Sequence, residues 1–205
     1  RIEKLDRAVS DLPGYEDGEW WVQDAAAALP ARLMGAVAGK RVADLCAAPG
    51  GKTAQLVLAG ARVTAVEISA NRLKRLAGNL ARLKLDAELV TADLATYQPA
   101  ELFDAILLDA PCSSTGTVRR HPDVLWTKTE ADIAKLAEVQ RTLLGHAVRL
   151  LKPGGTLVFS NCSLDPLEGE DLVLAFLSGS PGFSLDPIRA EEIPGIAEFV
   201  TPEGF

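Results

Sequence analysis

Short apolar runs alternate along the chain with longer segments whose apolar positions recur every three or four residues. The runs Arg41–Cys46, Val63–Ile68, Ala87–Ala92, Phe103–Asp109 and Thr156–Ser160 are β-branched or aliphatic, and each predicts a strand. Between the second and third, Leu73, Leu76, Leu80 and Leu83 fall at helical spacing. Arg72, Lys74, Arg75, Arg82 and Lys84 lie mostly off that stripe, so this basic face is read as solvated. A second helix is predicted around 129–150, with Lys152-Pro153-Gly154-Gly155 as its stop and turn. Residues 24–38 read as a short helix in which Pro30 is a boundary or a kink. Residues 1–24 are turn-rich and carry Trp20 and Trp21. This alternation predicts an α/β fold: a mainly parallel, twisted sheet with helices on both faces. Residues 1–38 are expected to form a lead-in segment and helix packed on a domain of residues 39–205.

In parallel sheets of this kind, ligands bind at the carboxyl ends of the strands, near the switch in strand order. The chemistry-bearing residues fall there. The first predicted strand runs into DLCAAPGGKT, the second ends in Glu67, the third in Asp93, the fourth in DAPC and the fifth in SNCS. The stretch from Cys46 to Thr53 is a small-residue turn that lets a ligand approach the backbone at a helix start. Gly51-Lys52-Thr53 matches the end of a P-loop, but Cys46 stands where its first glycine belongs, and GxGxxG is absent. Glu67, about twenty residues past the loop, is placed to accept from both hydroxyls of a ribose. Asp93 is suited to accept from an adenine amine. The plain alternative for either acid is a helix cap. Together they point to an adenosine-containing ligand, and the incomplete phosphate motif favours S-adenosylmethionine over NAD or ATP.

Composition narrows the class. The 205 residues are 48% hydrophobic and 24% charged, which suits one globular domain and excludes disorder as the main state. The most apolar stretches break at a charge or a proline well short of the ~20 residues a bilayer requires. The N-terminus has no apolar signal core, and a first residue of Arg leads to the expectation that the chain is part of a longer protein. Cys46, Cys112 and Cys162 lie far apart, and neither His121 nor His146 pairs with them at ligand spacing, so no metal is expected. Sparse free thiols suit a reducing, cytoplasmic setting. The net charge of −7 is uneven: residues 25–164 hold twelve acids and seventeen bases, net +5, between acidic flanks. Overall acidity therefore does not exclude a polyanionic partner.

The segments DLCAAPGGKT, DAPCSSTGTVRRHPD, LKPGG and the NCS strand end, with Gly18 to Asp24 upstream, resemble the RNA (cytosine-5)-methyltransferases: the bacterial Sun/Fmu (RsmB-like) rRNA enzymes and the NOP2/Sun proteins. The resemblance runs from about Gly18 to Asp171, and DLCAAPGGKT with DAPCS is a highly specific pair. It implies a Rossmann-like methyltransferase domain acting on C5 of a cytosine in RNA, most simply rRNA. The cofactor would be S-adenosylmethionine, held by Cys46, Ala47, Ala48, Pro49, Gly50, Gly51 and Lys52, with Glu67 on the ribose, Asp93 on the adenine, and Arg72 and Asp109 nearby. Cys162 would be the nucleophile, adding to C6 so that C5 becomes enamine-like. Asp109 would bind N3, Cys112 would assist release of the product, and Lys52 would supply positive charge. Arg119, Arg120 and His121 would hold RNA backbone around a single-stranded or flipped-out target. Trp126 would either stack on a base or pack.

Two departures from that pattern stand beside the thiols: Asn161 where Thr is usual and Ser114 where Gly is usual. The family's final Asp-Gly-Phe-Phe-like strand is not visible before Phe205, so a strand over 183–188 would lack its partner, and the upstream RNA-binding region is expected to lie outside the chain. Other classes remain open at this level: a non-catalytic RNA or ribosome-assembly factor that binds the cofactor, a methyltransferase for small molecules or proteins, and, most weakly, a P-loop ATPase. Two cysteines at adjacent strand ends argue against the first and are left unexplained by the second.

Overall fold

The computed structural model describes residues 7–193 and 195–205. One five-stranded parallel sheet runs in the order β3-β2-β1-β4-β5. The strands are β1 (Arg41–Leu45), β2 (Arg62–Glu67), β3 (Glu88–Thr91), β4 (Phe103–Asp109) and β5 (Leu151–Ser160). All five predicted runs are strands. The largest difference is at β5, which starts at Leu151 and takes the expected turn Lys152–Gly155 into its own length. There the register jumps from Phe103↔Leu151 to Ala105↔Thr156. Gly154, at φ 74°, supplies the conformation such a bulge requires, and an edge strand tolerates Pro153.

The helices are α1 (Leu29–Leu33), α2 (Gly51–Leu58), α3 (Ala70–Leu83), α4 (Val124–Thr127), α5 (Glu130–Ala147) and α6 (Glu170–Ser178). In α3 the predicted stripe of Leu73, Leu76, Leu80 and Leu83 is buried. The Ser69 side chain caps its start, and Lys84 closes it in the left-handed region. α5 opens on a capping box between Thr129 and Asp132. Pro30 is no kink. It lies in the first turn of α1, where a missing N–H removes only a group the helix start leaves unpaired. Residues 183–188 form no strand, and the Ile188 N–H donates instead to the Gly204 carbonyl (3.0 Å). No helix among the described residues is long and apolar enough to cross a membrane.

Strand alternation divides the core between the two faces. Ala43, Leu45, Ile106 and Leu108 pack with Leu144 and Ala147 of α5 and Leu172 of α6. Val42, Ala105 and Leu107 pack with Ala31 of α1 and Leu56 of α2, and Ala65 meets Ala54 of α2 and the α3 leucines. The upstream segment lies along α2 and α3. The Arg82 guanidinium stacks 3.8 Å from the Tyr15 ring centre and donates to the Trp20 carbonyl. Gln23 bridges Trp21 and Gln55. From β1 the chain winds out through β2 and β3, then returns to place β4 on the other side. The switch in strand order thus falls between β1 and β4, beside the end of β5, and every strand points its carboxyl end to the same edge.

Candidate active site at the carboxyl edge of the sheet

The loop between β1 and α2 is a tight cradle. Cys46 (φ 61°) turns the chain out of β1, Ala48-Pro49 is a cis peptide, and Gly50 (φ 99°) starts α2. A Cβ on Gly50 would lie 2.8 Å from Cγ of the buried Leu76, so side chain and conformation both demand glycine there. Arg72 braces the loop, donating to the Ala48 carbonyl (3.2 Å) and lying 3.4 Å from Glu67 Oε1. Glu67 is buried at the tip of β2. Its Oε1 accepts from the Ser69 N–H (3.1 Å), while Oε2 meets no donor. A buried carboxylate oxygen without a partner, one strand from a loop that only small residues can form, fits the hydroxyls of a nucleoside. Asp93 stands just past β3. It is exposed, and one of its oxygens accepts from the Ala95 N–H (2.9 Å). Ala92 N–H donates to the Glu67 carbonyl, which keeps the two acids on neighbouring strand ends.

Asp44 was not singled out by the sequence, where it reads as one more strand residue. It is buried in β1, with Oδ2 accepting from Thr53 Oγ1 (2.5 Å) and Oδ1 unpartnered. Burial lifts its pKa to about 7, the Thr53 hydroxyl opposing the rise. Burial likewise pushes the Cys46 thiol up to about 12, the Glu67 charge adding to it, so Cys46 is a lining residue and no nucleophile.

Asp109 ends β4 with both oxygens engaged. Lys52 Nζ, reaching across from α2, donates to Oδ2 (2.7 Å), and Ser160 Oγ, the register partner on β5, donates to Oδ1 (2.9 Å). The carboxylate is thereby oriented from both sides, and Ser160, the first residue of SNCS, joins the site in a role the motif alone does not assign. Beyond Asp109 and Ser160 the two strands release their loops, which bring Cys112 and Cys162 together with sulfurs 3.4 Å apart. Both are free thiols, since a disulfide would need about 2.05 Å. The Cys162 N–H points at Cys112 Sγ (3.3 Å), and the Ser114 hydroxyl lies 3.4 Å from Cys162 Sγ.

That geometry assigns the pair unequal states. The Cys112 S–H, donated to Cys162, lowers the Cys162 pKa to about 6; partial burial opposes this and the Ser114 hydroxyl assists it. Cys112 moves the other way, raised by the same hydrogen bond and by burial. The contact therefore favours ionisation of Cys162 over that of Cys112. Ser114, one of the departures noted above, supplies a donor that glycine lacks. It adopts φ 63°, the left-handed turn at which glycine is usual.

Arg119 and His121 lie exposed on the excursion after the β4 loop, while Arg120 sits 3.5 Å from Asp24 of the upstream segment. Trp126, on α4, is 89% exposed and packs against little, which removes one of the two readings given for it.

A parallel sheet with this strand order, a glycine cradle after β1 and acids at the next strand ends is a Rossmann-like, S-adenosylmethionine-dependent methyltransferase domain. A family model described as "16S rRNA methyltransferase RsmB/F" matches residues 31–201, and the chain belongs to that family. It is 44% identical over 193 residues to ribosomal RNA small subunit methyltransferase B of Cronobacter sakazakii, covering 92% of this chain and 45% of that protein. The corresponding Vibrio cholerae protein is 46% identical over 178 residues, covering 84% of this chain and 41% of its own length. The chain thus spans a little under half of the curated relatives it matches. Among solved structures, NSun6 from Pyrococcus horikoshii with SFG superposes with a TM-score of 0.77 at 30% identity, covering 84% of this chain and 46% of that one.

Proposed function

We propose that this chain carries the catalytic machinery for transferring a methyl group from S-adenosylmethionine to C5 of a cytosine in small-subunit ribosomal RNA, through a covalent adduct between Cys162 and C6. The observation that carries this reading is the pairing of two free cysteines with sulfurs 3.4 Å apart, beside a carboxylate held by Lys52. Membership of an rRNA methyltransferase family and the kinship with rRNA methyltransferase B proteins support the substrate class.

The residues follow one another in a definite order. Glu67 Oε2 and the Gly50 loop bind the nucleoside part of the cofactor, which when bound supplies an electrophilic methyl group. Asp109 faces the pyrimidine and accepts from its N4 amine, and from N3–H once N3 has taken a proton from solvent, easing addition at C6. Cys162 Sγ donates an electron pair to C6 and the C5–C6 π pair moves to C5, the atom that would receive the methyl group as its bond to the cofactor's sulfonium sulfur breaks and that bond's electron pair stays on sulfur. Once Cys162 is a thioether, the negative charge that opposed ionisation of Cys112 is gone. Cys112 then releases its proton to solvent and takes the C5 proton, and the C5–H electron pair re-forms the double bond as the C6–S bond breaks. Cys162 leaves as thiolate. The target must be unpaired or flipped out, since C6 and C5 are sealed within a duplex.

The test is methylation of purified small-subunit rRNA by the whole protein that contains this chain, read by bisulfite sequencing. Cys162→Ala should abolish product. Cys112→Ala should still permit addition, at a pH high enough to ionise Cys162, and trap a protein–RNA adduct that survives denaturing gel electrophoresis. Full turnover by Cys162→Ala would overturn the covalent route.

A further inference from the structure

A fully buried acid lies under the two cysteine loops, and nothing above uses it. Glu168 sits in a one-turn 3-10 helix (Pro166–Glu168) after the β5 loop and is 0% exposed. Its Oε1 accepts from the Ser113 N–H (2.9 Å) and from Gln140 Nε2 (2.8 Å), and its Oε2 from the Ser113 hydroxyl. Its backbone carbonyl accepts from Asn161 Nδ2 (2.6 Å). Ser113 directly follows Cys112, and Asn161 directly precedes Cys162. Gln140, from α5, also donates to the Pro111 carbonyl (2.9 Å), just before Cys112. A single residue is therefore tied to the chain beside each sulfur.

We infer that Glu168 is a positioning residue that clamps the Cys112 and Cys162 loops together and thereby sets the contact between the two sulfurs. A buried carboxylate is held only where several donors converge, and losing it would strand those donors. Its cost is offset by three N–H or O–H groups aimed at the carboxylate, two of them on Ser113. Around it the loops are laced further: Ser163 Oγ lies 3.1 Å from Ser113 Oγ and 3.0 Å from Thr115 Oγ1, and the Gly116 N–H donates to the Cys162 carbonyl (2.9 Å). Asn161 Oδ1 accepts from the Ser163 N–H (2.8 Å), so the asparagine departure from the family pattern is built into the clamp. The Cys162 N–H···Sγ Cys112 contact closes the lattice on the sulfur side. With the carboxylate removed, nothing in this set fixes Ser113 against the β5 loop except the hydroxyl of Ser163.

This inference rests on the proposed use of the cysteine pair, and its test needs neither RNA nor methyl transfer. The whole protein is alkylated with iodoacetamide across a pH series, and modification of Cys162 is followed by mass spectrometry. A second measurement follows closure of the Cys112–Cys162 disulfide by diamide. S-Adenosylmethionine affinity is measured by calorimetry as a control on the neighbouring cleft. Glu168→Gln keeps the volume but replaces an accepting oxygen with a donor. It should move the alkylation midpoint upward toward that of an ordinary thiol and slow disulfide closure at least tenfold, with cofactor affinity within about twofold of wild type. Asn161→Ala, which leaves the buried carboxylate in place, should give a smaller shift in the same direction. It keeps the test open should Glu168→Gln fold poorly. A lower melting temperature with unchanged midpoint and disulfide rate in both variants would reduce Glu168 to a stability residue and overturn the inference. If wild-type protein shows the lowered midpoint yet methylates no cytosine, the proposed function fails and the clamp stands.

Discussion

Replacing Asp44 with Asn should stabilise the cofactor-free protein at neutral and alkaline pH, the reverse of what deleting a motif residue usually does. Asp44 is buried, one of its oxygens has no donor, and its pKa is raised to about 7. In the unfolded chain the same group titrates near 3.9. Between those values the native state holds a proton that the unfolded state has lost, so stability falls as pH rises from about 4 to about 7. The gap of about three units corresponds to roughly 4 kcal/mol, of which more than half should be lost between about pH 5 and pH 8. Asparagine does not titrate, and its own cost, an amide N–H without an acceptor, is the same at both pH values. The quantity to measure is therefore the difference between wild type and Asp44→Asn in urea unfolding at the two pH values. The variant should gain that share on wild type across the interval, a shift of several degrees in melting temperature for a chain of this size. Parallel pH profiles for the two proteins would show that Asp44 is ionised at little cost, and the argument from its burial would be wrong.

Two further outcomes follow from the same edge of the sheet. Cys112→Ala removes the principal donor to Cys162, so the midpoint of Cys162 alkylation should climb from about 6 toward the ordinary thiol range. The midpoint, and not the rate at one pH, is the quantity to read: near pH 7 a three-unit drop in pKa raises the thiolate fraction roughly ninetyfold while intrinsic nucleophilicity falls roughly 15- to 30-fold. An unchanged midpoint would mean that the S–H···S contact does not set the thiolate. Gly50→Ala places a methyl 2.8 Å from Leu76 Cγ at φ 99°, and should cost about 2 kcal/mol in stability and weaken S-adenosylmethionine binding in calorimetry. Retention of both would show that the cradle yields more easily than its packing implies.

What the sequence reveals of this site is what lies next to a strand end. The runs leading into DLCAAPGGKT, DAPC and SNCS place Lys52, Asp109, Cys112 and Cys162 on one edge because in a parallel sheet every strand finishes there. Glu168 is invisible by the same logic. In the stretch Asp165-Pro166-Leu167-Glu168-Gly169 it looks like a solvated loop acid, and its donors come from Ser113 and Gln140, 55 and 28 residues away in sequence. Asp44 hides for a related reason: alternation marks it as a strand residue, and only the packed structure shows that Thr53 satisfies one oxygen and nothing satisfies the other. The helix predicted over residues 24–38 contracts to α1 with a 3-10 turn before it, since an alanine-rich run carries little apolar periodicity to fix its ends.

The ladder between β4 and β5 has a consequence for how this domain can change. Asp109 and Ser160 are register partners, and each reactive sulfur sits only two or three residues past them. Their approach thus starts from the spacing of paired strands, about 4.8 Å, and the contacts of Ser113, Gln140 and Glu168 hold the two loops from there. Residues 118–128, with Arg119, His121 and Trp126 exposed, take no part in those contacts and can exchange side chains without displacing the two sulfurs. The surface of that outlying loop and the geometry of the thiols can therefore drift independently, because the second is anchored in the weave of the sheet.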